Sequence, residues 1–142
     1  PSAKLFLGDS GSYLLGAIVA ISTIKTSIAN PLISPFYFCI LLFYLFFEVF
    51  FSFIRKIVRE KSSPLFPDNK HLHMLVYKYL FKRNKNKSKS NYSVALILNS
   101  TYLIMIIPSI FMMKNGMFCK YYSILLFITY LFSYKKISEK IK

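Results

Sequence analysis

Three small groups of residues in this sequence have types and spacings that suit chemistry. The first is Gly8-Asp9-Ser10-Gly11-Ser12, which places one carboxylate, two hydroxyls and two glycines directly before an apolar run. A helix N-terminus leaves backbone N–H groups without partners and carries partial positive charge, so it favours phosphate or another anion. Ser10 and Ser12 are good N-cap types, and Gly8 and Gly11 permit positive φ and close approach of a ligand to the backbone. Asp9 at such a mouth offers an oxygen to Mg²⁺ shared with substrate phosphates. The plainer alternative is a capped helix start whose Asp9 only complements the dipole. Gly-Asp-Ser-Gly also surrounds the nucleophile of serine proteases. That chemistry is excluded here, because both histidines sit in one short loop, no β-barrel pattern is visible and the segment runs straight into apolar helix.

The second group is Asp68-Asn69-Lys70-His71-Leu72-His73. On a helix, His71 and His73 would flank opposite sides of the apolar stripe, whereas in an extended segment both would face the same way, which suits a shared ligand. With only Asp68 nearby as a third ligand, the pair is a weak metal signal, and polar surface is the alternative. The third group is Glu48, set among Phe46, Phe47, Phe50 and Phe51. An ionisable group in such a run is either functional or, with Arg55 two turns further on, a paired or snorkelling group near the membrane interface.

The elements that must position these groups follow from composition. The 142 residues are 55% hydrophobic and 18% aromatic, with a mean hydropathy of +0.46, more than a soluble domain of this size carries. Apolar runs at about 12–28, 36–54, 92–113 and 118–134 each approach the ~20 residues of a bilayer crossing. They predict an all-α, polytopic transmembrane bundle of about four spans, the 142 residues forming part of one transmembrane domain. Cys39 and Cys119 show no pairing or metal spacing.

Net charge is +14, from 19 Lys plus Arg against 5 Asp plus Glu. In a soluble protein this would suggest nucleic acid, but here the charge is segregated between apolar runs, which points to membrane lipids and orientation instead. Eleven of the basic residues lie between Arg55 and Asn91, and Lys135, Lys136, Lys140 and Lys142 follow the last run. The positive-inside rule then puts the N-terminus, this loop and the tail at residues 135–142 on the cytoplasmic face, so Asp9 and the histidines share a side.

Within the loop, Pro64 and Pro67 break the preceding helix, and Asp68 or Asn69 can cap a new one. Its apolar positions Leu72, Leu75, Val76, Tyr79 and Leu80 have helical spacing and predict a short helix on the membrane interface. Lys82 to Ser90 reads as a flexible linker on anionic lipid, and Asn99, Ser100 and Thr101 as interhelical hydrogen-bonding or packing residues. The motif arrives within ten residues of Pro1, which suggests a C-terminal part of a longer chain.

Together, Phe6-Leu7-Gly8-Asp9-Ser10-Gly11-Ser12 and Pro67-Asp68-Asn69-Lys70-His71-Leu72-His73 resemble motifs of the polyprenyl-phosphate N-acetylhexosamine-1-phosphate transferases. This membrane family includes the N-acetylglucosaminyl-1-phosphate transferase of O-antigen synthesis. Phe47-Glu48-Val49 through Arg55-Lys56 is similar to a family segment in which an acidic residue precedes an apolar run and a basic pair. The resemblance covers most of residues 1 to about 80, while the last two runs match only in hydrophobicity and placement. It implies transfer of a sugar 1-phosphate from a UDP-N-acetylhexosamine to undecaprenyl or another polyprenyl phosphate, with release of UMP, at the cytoplasmic face of a bacterial inner membrane. It further implies that Asp9 is the catalytic Mg²⁺ ligand and that Gly8, Ser10, Gly11 and Ser12 shape the diphosphate site. His71, His73 and Lys70 would contact the nucleotide diphosphate. Monomer and homodimer both stay open. Met74 stands where the family often has a further histidine, and the family's upstream acidic pair and Asn/Asp-rich motif are not in this sequence. These residues alone are therefore expected to be inactive, and a non-catalytic truncated protein or anionic-lipid-binding module is the competing reading.

Overall fold

A computed structural model describes residues 8–59, 61, 63, 66 and 68–141. Pro1, Phe6, Leu7, Ser62, Pro64, Leu65, Pro67 and Lys142, which enter the sequence reading, lie outside the described residues. Among the described residues the regular structure is entirely helical: α1 (Gly8–Ala29), α2 (Pro35–Leu41), α3 (Phe43–Ile54) continuing into a π turn (Arg55–Arg59), α4 (Leu72–Asn84), α5 (Lys87–Phe111) and α6 (Gly116–Ile141).

Three helices, α1, α5 and α6, are long and apolar enough to cross a membrane. The second apolar run of the sequence is not one straight rod. Its two halves meet at a 77° bend, as a broken span or a re-entrant loop. Ser34 caps the first half, its hydroxyl accepting from the Phe36 N–H at 3.3 Å, and Pro35 suits the first turn because its missing N–H would have no partner there. The break falls at Leu42, with φ −108° and ψ 10°. A break inside an apolar bundle leaves carbonyls without helical partners. The Tyr102 hydroxyl of α5 donates to the Leu41 carbonyl and satisfies it.

The basic linker expected to be flexible is a tight helical hairpin. Lys85 ends α4 in the left-handed conformation at φ 52°, and the Asn86 side chain caps α5 by accepting from the Lys89 N–H at 3.0 Å. At the far end Asn115 does the same for α6, accepting from the Phe118 N–H at 3.0 Å. Helix α6 runs on to Ile141, so the described part of the basic tail is helical too.

Two apolar clusters hold these helices together. Leu72, Leu75 and Val76 of α4 pack with Val94, Tyr130 and Tyr134. The stripe expected to rest on the membrane interface is therefore buried against α5 and α6. Farther along, Ile40, Phe43, Cys119 and Leu126 form a second cluster where α2 and α3 meet α6. Cys39 and Cys119 are both free thiols. Among the described residues Asn99, Ser100 and Thr101 make no bridge between helices: all three are exposed, and the Thr101 hydroxyl donates to the Ile97 carbonyl in its own helix at 2.8 Å. Interhelical bonds come instead from Tyr102 and from Tyr122, whose hydroxyl donates to the Met105 carbonyl at 2.8 Å.

Candidate active site

Helix α1 starts at Gly8, which takes φ +68°, a conformation that favours glycine. The helix therefore begins two residues before Ser10, and neither Ser10 nor Ser12 is a cap. The Ser12 hydroxyl donates back to the Gly8 carbonyl at 2.9 Å. Ser10 and Gly11 lie within the first turns, and Asp9 is exposed in the first turn, where its charge complements the helix dipole.

An apolar groove of about 760 Å³ lies between helices α1 and α3. Ser12, Leu15 and Val19 line it from one side, and Leu42, Phe46 and Phe53 from the other. Ser12, three residues after Asp9, lines this groove, so the first turns of α1 border it. In its second half α3, with the residue that follows it, presents Glu48, Ser52 and Arg55, spaced i, i+4 and i+7 on one face, to the histidine loop.

Two carboxylates fasten that loop in opposite directions. Glu48, from α3, is 7% exposed, and its Oε1 accepts the Leu72 N–H at 2.6 Å, supplying the cap that α4 does not make for itself. The same Oε1 lies 3.1 Å from His71 Nδ1 and 3.8 Å from His73 Nδ1. Glu48 Oε2 accepts the Tyr130 hydroxyl at 2.8 Å, which ties α6 to the group. Asp68, from the loop, reaches back to α3, where it accepts from the Ser52 hydroxyl and pairs with the Arg55 guanidinium. Its other oxygen accepts the Lys70 N–H at 2.9 Å. Lys56, next in the π turn, donates to the Phe66 carbonyl. A π turn admits an extra residue per turn, and here the consecutive cations Arg55 and Lys56 are both buried, each 5% exposed.

Electrostatically, Asp68 is the clearest group. Burial works against its charge, but the Ser52 hydroxyl, the Lys70 N–H and the Arg55 guanidinium outweigh that and hold its carboxyl below the usual carboxylate range.

The two histidine rings converge. His71 is extended at the position before α4 and His73 lies in its first turn, so the rings stack 5.6 Å apart at 14°. Neither purely helical nor purely extended geometry does this; the helix start between them does. The Lys70 side chain is exposed at the same turn. Arg55 pairs with Asp68 and not with Glu48, as the two-turn spacing had suggested. Sequence reading alone gave no role to Ser52 or Tyr130, and it read Asp68 as a helix cap or a weak third metal ligand, not as the partner of Ser52 and Arg55. The i+4 spacing of Ser52 from Glu48 was a usable signal, whereas Tyr130, 82 residues away, gave none.

Among the described residues no group of three or more His, Cys, Asp and Glu is arranged to hold a metal ion. Glu48 and Asp68 are committed to neighbours, and Asp9 is exposed beside a helix N-terminus. A single carboxylate fits Mg²⁺, which often takes one or two protein carboxylates and fills its remaining positions with water and substrate phosphate.

Apolar helices long enough to span a bilayer, with a polar site at one end, define a polytopic helical membrane protein. The chain is similar to the undecaprenyl-phosphate alpha-N-acetylglucosaminyl 1-phosphate transferase of Thermotoga maritima, with 33% identity over 128 residues. That match takes in 90% of this chain but 37% of the relative, so the chain spans little more than a third of it. At 128 of 142 residues, the similarity takes in α5 and reaches into α6, well beyond the motifs that carry the resemblance in sequence. No protein-family model matches the chain. No solved structure matches it either.

Proposed function

We propose that this chain carries the Asp9 and histidine-loop part of an enzyme that moves N-acetylhexosamine 1-phosphate from a UDP-sugar to undecaprenyl or another polyprenyl phosphate. The products are UMP and a lipid-linked diphosphosugar, and the step opens cell-envelope glycan synthesis at the cytoplasmic face of a bacterial inner membrane. The observation that supports this reading is the bracing of His71 and His73 beside Glu48 of α3, in a chain similar to a transferase of that name.

The chemistry asks mainly for positioning and for neutralisation of charge on the diphosphate. Asp9 holds Mg²⁺ in this reading, and the ion, when bound, withdraws charge from the phosphate oxygens. The exposed amide end of α1 adds partial positive charge beside it. His71 and His73 contact the diphosphate from the loop, and Lys70 adds positive charge. The apolar groove between α1 and α3 offers hydrocarbon-compatible surface beside Ser12, which suits a lipid acceptor.

The test is UMP release by the full-length protein in membranes, given UDP-N-acetylglucosamine, undecaprenyl phosphate and Mg²⁺. The reading expects release that needs all three. No release with any UDP-N-acetylhexosamine tried would remove it and leave a non-catalytic, anionic-lipid-binding role.

A further inference from the structure

Glu48 has a place in the network that a buried structural acid does not require. One oxygen serves both the Leu72 N–H at 2.6 Å and His71 Nδ1 at 3.1 Å, and the other is held by the Tyr130 hydroxyl at 2.8 Å. A carboxylate only accepts, so the ring nitrogen facing it must carry the hydrogen. His71 Nε2 lies 3.8 Å from Asp68 Oδ2, beyond hydrogen-bond reach, and is left for another partner. His73 stacks on the His71 ring with its own Nδ1 3.8 Å from the same Glu48 oxygen.

We infer that Glu48 is a positioning residue for the histidine pair: it fixes His71 in the Nδ1–H form, orients both rings and starts α4 beneath them. The inference rests on the transferase reading only for what the rings then meet, a nucleoside diphosphate. An imidazole tied through one nitrogen presents the other in a set direction, which is how outer groups commonly orient functional histidines. Helix α6 takes part through Tyr130, so the ring geometry depends on a residue far outside the loop.

These 142 residues contain two histidines, which makes the claim directly readable. The full-length protein is produced with ¹⁵N-labelled histidine in detergent micelles, and the His71→Ala and His73→Ala variants assign the two rings. Expected for the unsubstituted protein is a protonated, pyrrole-type Nδ1 on His71. In Glu48→Gln, whose amide can turn either its oxygen or its NH₂ group to the ring, the signal becomes a mixture. Tyr130→Phe keeps the ring volume of residue 130 and frees one carboxylate oxygen, and it should shift the same signal part of the way. A pyridine-type Nδ1 on His71 in the unsubstituted protein, or a signal unmoved by Glu48→Gln in a protein that keeps its helical spectrum, overturns the inference.

Titration with UDP separates this from the parent reading. A response of either ring that weakens about tenfold in Glu48→Gln, the scale of one hydrogen bond to a charged group, supports both. A fixed Nδ1–H that Glu48→Gln releases, with no response to UDP in any form, upholds the Glu48 inference and counts against the diphosphate.

Discussion

Burial opposes the charge on Asp68, yet its partners hold the carboxyl below the usual range, so the folded loop favours the ionised form more than an unfolded chain does. The stability this contributes is complete above the unfolded value of ~3.9 and is lost as pH falls through the lowered folded value. Protease cutting between Arg59 and His71 should therefore stay slow at neutral pH and quicken only in strong acid. Asp68→Asn should bring the fast cutting to neutral pH. At the same scale, His73→Ala is expected to raise the UDP-sugar KM by about tenfold, the size of one hydrogen bond to a charged group, with little change in thermal stability. His73 is half exposed, so removing it leaves no buried void. A KM that does not move would return His73 to polar surface. The residue types at this site were legible in the sequence because a carboxylate, glycines and paired histidines are rare beside apolar runs. Their partners were not, since Glu48 finds Leu72 and Tyr130 across 24 and 82 positions that no local pattern records.

Helix α4 shows how an element can be read correctly and placed wrongly. Its apolar spacing made it a helix, but the same stripe serves equally for lipid or for protein, and only the presence of α5 and α6 decides between them. Leu75→Ala should accordingly cost about 2–5 kcal/mol, as a buried leucine does, where a leucine facing lipid would cost little. Thermal unfolding in micelles measures this. The cap of α4 was sought in Asp68 or Asn69, whereas the carboxylate that accepts the Leu72 N–H comes from α3. The break at Leu42 was illegible for a different reason. Phe36 to Phe47 contains no glycine or proline, and the bend is held from outside by the Tyr102 hydroxyl on the Leu41 carbonyl. Tyr102→Phe should lower stability by about 1 kcal/mol, the usual net worth of one such bond.

For the whole molecule, hydropathy was enough to give an all-helical bundle with helices of membrane-crossing length, because bilayer thickness acts on long averages. What averages cannot give is which ends come together. Glu48 of α3 and Asp68 of the loop clamp the histidine loop against α3 and the π turn that follows it. The account's central claim is that Asp9 and the histidine loop serve one diphosphate. A double-mutant cycle on UMP release by the full-length protein tests it, with Asp9→Asn, His73→Ala and the two combined. Asp9→Asn alone should cost about 10²- to 10³-fold in kcat, the scale of removing one transition-state contact. The account predicts that the double variant loses clearly less than the product of the two single losses, as residues acting as a unit do. Losses that multiply cleanly, or an Asp9→Asn protein that keeps its turnover, would contradict it.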